Sequence, residues 1–157
     1  MKLWGDYHRW LYKGGRPNAF AKAQNRISAT LFGAGVGPQE WAKLEVRGRR
    51  SGAVRSFPVA IATYEGGRYV VAMLGEQTNW VKNVEAAGGV AVLRHRHEEP
   101  VRLDLVPPAE RAPILKRYTE VAPGARPHIP VDRRAPLREF EAIASQFPVF
   151  RVELRQS

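Results

Sequence analysis

A glycine-bracketed stretch, Gly48-Arg49-Arg50-Ser51-Gly52, separates two strand-like runs, and glycine at both ends lets the backbone reverse tightly there. The continuation Ala53-Val54-Arg55-Ser56-Phe57-Pro58 keeps the basic character. Arg47, Arg49, Arg50 and Arg55 therefore share one turn, and no carboxylate occurs from Val46 to Tyr64 to neutralise them. Guanidinium groups make bidentate, permanently charged contacts to phosphate or carboxylate, and glycines let backbone N–H groups approach the same oxygens. The turn suits a small, strongly anionic ligand; a hairpin whose arginines are merely solvated is the other reading of the same string.

Around this turn the chain reads as short strands. Lys43 to Arg47 alternates, with Leu44 and Val46 on one face, and Val54 to Tyr64 forms a longer strand whose Pro58 belongs at an edge or bulge. Glu65-Gly66-Gly67 is a hairpin turn. Arg68 to Leu74 is almost wholly apolar, as in a strand buried on both faces, and Gly75 ends it. Thr78 or Asn79 caps a short helix through Ala87, stopped by Gly88-Gly89. Val90 to Arg96 and Val101 to Val106 make a hairpin around His97-Glu98-Glu99-Pro100. A helix from Pro107-Pro108 to Val121 follows, then a proline-rich loop from Pro123 to Pro136, a helix over Leu137 to Ser145 and a last strand from Val149 to Leu154. About six strands with inserted helices make a small barrel of the α+β class.

Upstream, Leu3, Trp4, Tyr7, Trp10 and Leu11 recur at helical spacing, Gly14-Gly15-Arg16-Pro17 interrupts them, and Phe20, Ala23, Ile27 and Leu31 resume. Residues 1–36 are thus expected as an amphipathic helical segment and residues 37–157 as the barrel, within one domain overall. With 157 residues, 44% of them hydrophobic, the chain carries material for one core. It contains no cysteine, which removes disulfides, thiolate metal sites and a cysteine nucleophile. The N-terminus lacks the apolar core of a secretory signal, and no run reaches the roughly 18 apolar residues of a membrane span. A cytoplasmic protein is the default expectation. Lys2, Arg9 and Lys13 interleaved with the first aromatics make residues 1–13 a candidate for peripheral membrane contact, beside the alternative of a helix packed over the barrel.

The net charge of +10, from 25 basic and 15 acidic side chains, draws polyanions of any kind: nucleic acid, anionic lipid or a multiply charged cofactor. A second candidate site begins where the apolar strand ends, at Gly75-Glu76-Gln77-Thr78-Asn79-Trp80-Val81-Lys82-Asn83. A helix N-terminus offers N–H donors there, and the Trp80 indole can either wall a pocket beside them or pack in the core. His95 and His97 share one strand face but lack a third ligand, so no metal site is expected. His128, in the proline-rich loop, is the histidine kept as a proton-donor candidate. Hydrolase and nicotinamide fingerprints are absent, since Gly33-Ala34-Gly35-Val36-Gly37 neither follows a strand nor has the required spacing.

The order Gly48-Arg49-Arg50-Ser51-Gly52, Arg55, Pro58, Gly66-Gly67, Tyr69-Val70-Val71-Ala72, Asn79-Trp80 and Asn83 resembles the deazaflavin-dependent nitroreductase family. Those enzymes are split β-barrels, related to the FMN-binding and pyridoxamine-phosphate-oxidase-like folds, that use the 8-hydroxy-5-deazaflavin coenzyme F420. The resemblance implies that Arg49, Arg50, Ser51, Gly52 and Arg55, followed by Pro58, hold the phosphate and glutamyl carboxylates of the cofactor tail. It implies that Ala72, Met73, Leu74 and Trp80 line the ring, with Asn79 near its edge, and that Gly75 and Asn83 also belong to the cofactor-binding residues. F420, with FMN as the alternative, would serve hydride transfer to an electron-poor small molecule such as a quinone, nitroaromatic or activated double bond. His128, Tyr118 and Arg126 are the candidates for orienting that substrate. The chain departs from such relatives in the late loop, where Ala122 to Pro130 replaces a run of tyrosines, and at Gly75-Glu76-Gln77, where a cation is expected. Two other classes stay open: a flavin or F420 carrier without robust turnover, and a basic nucleic-acid or anionic-membrane module. No specific nucleic-acid partner is expected, and the chain is expected as a monomer or homodimer.

Overall fold

The computed structural model describes residues 41–155. The helical segment expected over residues 1–36, and with it the membrane-contact candidate at 1–13, lies outside the described residues. Within them, the Arg-rich turn joins two antiparallel strands, β1 (Trp41–Arg47) and β2 (Val54–Ala60), paired from Trp41 opposite Ala60 to Arg47 opposite Val54. Strict alternation in β1 puts Ala42, Leu44 and Val46 inside, each at most 1% exposed.

The run expected as one strand from Val54 to Tyr64 is divided at Ile61 into β2 and a short β3 (Ala62–Tyr64). β3 turns back through Glu65 and Gly66, whose φ values of 46° and 80° are those of a two-residue hairpin turn, into β4 (Gly67–Val71). The remaining strands are β5 (Val90–His95), β6 (His97–Leu105) and β7 (Val149–Leu154), the last with the bounds the sequence predicts. Together they form one seven-stranded sheet in the order β2-β1-β5-β6-β7-β4-β3. β2 and β3 are its two edges, yet Ile61 alone separates them in the chain. The sheet must therefore curl until its edges meet, which makes it a barrel. Pro58, which cannot donate to a ladder, sits on the edge strand β2 as expected.

Two apolar clusters lie on opposite faces of this curled sheet. Inside are Leu44, Val46, Val70, Leu93, Val101, Phe150 and their neighbours, closed by Val81 and Val84 of helix α1 (Asn79–Ala86). Outside, helices α2 (Ala112–Val121) and α3 (Leu137–Ile143) cover the β3–β4–β7 region with Leu115, Tyr118, Phe140 and Val149. Adjacent Val70 and Val71 belong to different clusters, so β4 is buried on both faces, as its unbroken apolar run predicts. The strand ends at Val71, however, three residues earlier than expected.

Two further expectations need correction. The β5–β6 reversal is at Arg96, with φ 68°, rather than around His97 to Pro100, and Pro100 instead pairs with Val92 inside β6. His95 and His97 consequently face each other from two strands instead of sharing one. His95 serves the fold, because its Nδ1 is hydrogen-bonded to the Trp41 carbonyl, and His97 is exposed. The helix expected from Pro107 breaks into a short 3-10 turn (Pro108–Glu110) and α2. Arg111, between them, points inward.

Candidate functional site

The Arg-rich turn is ordered from within. Gly48 N–H donates to Ala53 O at 2.7 Å, Gly52 N–H to Gly48 O at 3.0 Å, and Ala53 N–H to Ser51 Oγ at 3.2 Å. Gly52 has φ 74°, the left-handed region that glycine enters without a Cβ penalty. Gly48 is required for another reason: a Cβ there would meet Ala53 O at 3.1 Å and the Arg55 side chain at 3.5 Å. Arg55 therefore lies over the turn's backbone.

The four arginines divide into two pairs. Arg47 Nη1 donates to Gly52 O at 3.0 Å and braces the loop. Arg49 donates twice to Asn83 Oδ1 on α1, from its backbone N at 3.2 Å and from Nη1 at 2.8 Å. Asn83 is only 5% exposed. The turn and α1, which the sequence presents as separate candidates, are thus clamped together by one buried amide. Arg50 and Arg55 are exposed and form no ion pair with a carboxylate among the described residues. The two bracing arginines fix the loop, while the other two keep an unpaired charge at its surface.

At the strand-to-helix junction, Thr78 holds the N-cap position, but its hydroxyl donates back to Gly75 O at 2.6 Å. Asn79 and Trp80 open α1, so their N–H groups have no partner within the helix. Trp80 is half-buried between two rings, with centroids 6.1 Å from Phe57 and 5.7 Å from Phe150. Ala72 is 1% exposed in the inner cluster and its N–H donates to Pro148 O at 2.9 Å; Met73 leans on the outer cluster. Gly75 takes φ 92° and approaches the Ala144–Gln146 turn. Phe57 and Phe150 are the members of this region that sequence reasoning missed, although Phe57 immediately precedes the flagged Pro58.

The three candidates for substrate orientation lie elsewhere. Trp41 Nε1 donates to Val121 O at 3.5 Å, which ties the end of α2 to the start of β1. Arg126 Nε donates to Thr119 O at 2.9 Å and Nη2 to Glu120 O at 3.4 Å. His128 N–H donates to Ala125 O at 2.9 Å. The Arg-rich turn leaves the opposite end of β1, roughly 20 Å away at about 3.3 Å per residue. Tyr118 is 4% exposed within the outer cluster.

Burial pushes the Tyr118 phenol well above the ordinary tyrosine pKa. The unfolded chain releases that proton near pH 10 while the folded chain holds it. The stability this contributes is complete below about pH 10 and is lost as pH rises beyond it. Tyr118→Phe is therefore expected to flatten the alkaline limb of a plot of urea midpoint against pH; an unchanged limb would show that Tyr118 is not responsible for it.

The residues present fit a ligand with a polyanionic tail and a flat ring. Two exposed arginines, Arg50 and Arg55, stand on a glycine-cleared turn, and the buried Asn83 ties that turn to the tryptophan-bearing helix. Among the described residues no helix is long and apolar enough to cross a membrane.

Among solved structures, one described as a domain-swapped dimer is 22% identical, with a TM-score of 0.53 over 82% of this chain and 92% of that one. The protein Atu2129 from Agrobacterium tumefaciens str. C58, of unknown function, is 14% identical with a TM-score of 0.54; this chain covers 53% of its length and is itself covered over 83%. These likenesses establish the α+β split-barrel fold. An F420-H2 dependent reductase, FDR-A, aligns at 21% identity over 73% of this chain and 95% of that chain, with a TM-score of 0.47. No curated protein matches the sequence. The family model of the F420H(2)-dependent quinone reductases matches residues 20–139, spanning the Arg-rich turn, the α1 junction and the late loop alike. The chain belongs to that family, as a deazaflavin-dependent oxidoreductase whose cofactor is coenzyme F420.

Proposed function

We propose that the chain reduces a quinone, with Arg50 and Arg55 holding the phosphate and carboxylates of the F420 tail and the Ala72–Trp80 junction receiving the ring. The observation that carries this reading is the pair of hydrogen bonds from Arg49 to Asn83, because it builds tail site and ring site as one unit. In this reading Arg47, Arg49 and Ser51 shape the loop, Gly48 and Gly52 clear its backbone, and Asn79 and Trp80 present free helix N–H groups beside an indole. Reduced F420 supplies the hydride; the chain supplies orientation, a positive field and an apolar wall. Leu74 and Met73 extend that wall.

The family's description favours a quinone over the nitroaromatic and activated-alkene acceptors. Oxidation of F420H2 followed with menadione, a nitroimidazole and an enone is expected to give the highest kcat/KM with menadione. Tight F420 binding without oxidation by any of the three would replace this reading with that of a carrier. A dimer is compatible with the fold and would be read by the same preparation on a sizing column with light scattering.

A further inference from the structure

The late loop forms a cleft of about 410 Å³ lined by Arg126, Ile129, Val131, Asp132, Arg133 and Arg134. We infer that this cleft is a second, independent oxyanion site that takes a small molecule bearing phosphate or carboxylate groups.

Charge is the first reason. The lining carries three arginines against one carboxylate, Asp132, whose Oδ1 accepts the Arg134 backbone N–H at 2.8 Å, so the net charge there is positive. Arg126 is held by two main-chain carbonyls rather than by an acid, and its Nη1 carries no hydrogen bond among the described residues. Neither Arg133 nor Arg134 pairs with a carboxylate among the described residues.

Preorganisation is the second. Lys116 of α2 donates from Nζ to Arg133 O at 3.0 Å and to Ala135 O at 2.6 Å, fastening the far wall of the cleft to the helix. Arg126 fastens the near wall to the same helix, and Ile129, 3% exposed, anchors the floor in the outer cluster. A loop pinned at both sides loses little entropy when it closes on an anion. The Trp41–Val121 tie places this cleft at the end of β1 opposite the Arg-rich turn, so one phosphate cannot bridge the two.

The test is a titration of the full chain, 15N-labelled, with inorganic pyrophosphate and separately with citrate, read residue by residue in two-dimensional NMR spectra. Saturable amide shifts at His128, Ile129 and 131–134 are expected with at least one of the two, and the comparison assigns the site to phosphate or to carboxylate. Those shifts should persist in Arg50→Gln/Arg55→Gln and weaken roughly ten-fold or more in affinity in Arg133→Gln/Arg134→Gln. F420 affinity should be unchanged in the latter variant, which separates failure here from failure of the cofactor assignment. Shifts confined to 47–55, or shifts at 128–134 that vanish with Arg50 and Arg55, would overturn the inference. Preserved spectral dispersion in each variant confirms that it is folded.

Discussion

Replacing Arg111 by methionine is expected to destabilise the fold by about 3 kcal/mol, seen as a lower urea midpoint at unchanged slope. Arg111 is 3% exposed and spends its guanidinium on main chain: Nε donates to Val106 O at 2.8 Å, and Nη1 to Ala144 O at 3.2 Å and Phe147 O at 3.4 Å. It thereby ties the end of β6 to the turn leading into β7. Methionine would fill the volume and spare the cost of burying a cation, a cost visible in the lowered pKa of Arg111, which the charge of Glu76 only partly offsets. It would also leave the Val106 and Phe147 carbonyls without a donor, at roughly 1–3 kcal/mol each, while Ala144 O keeps the Phe147 N–H at 3.4 Å. Two orphaned acceptors outweigh one relieved cation, so the net sign is destabilising. A change within 0.5 kcal/mol would mean that those carbonyls find other partners.

The second large effect is on ligand affinity. Arg50→Ala/Arg55→Ala should weaken F420 binding roughly 10²-fold, the lower end of what two charged hydrogen bonds supply, because both side chains are exposed and screened by solvent. Folding stability should hardly move, since neither guanidinium braces the loop. Arg49→Ala differs: it removes the Nη1 bond to Asn83, leaving the backbone N–H bond alone, and should loosen turn and helix together.

Much of this was readable from residues. The unbroken apolar run at Val70-Val71-Ala72 signalled a strand buried on both faces, and Glu65-Gly66 signalled its hairpin. The break at Ile61 was hidden because Val59-Ala60-Ile61-Ala62 stays apolar while the chain passes from one sheet edge to the other. The Arg96 turn was hidden because a positive φ at a non-glycine residue has no sequence mark, while His97 to Pro100 imitates a loop. Asn83 could be flagged as a site residue, but not as the clamp on Arg49, because the contact joins positions 34 residues apart. Arg133 and Arg134 vanished into a proline-rich stretch, and only the Lys116 anchors reveal the cleft they line.

The sharpest measurement of the bipartite site is a fluorescence titration comparing F420 with the same deazaflavin lacking its phosphate and glutamyl tail, on the unaltered chain and on Arg50→Ala/Arg55→Ala. F420 should bind the unaltered chain far more tightly than the tail-less ring, and the double variant should bind both alike. Equal affinity of the unaltered chain for the two ligands, or a double variant that still prefers F420 to the same degree, would contradict the assignment of the Arg-rich turn to the cofactor tail.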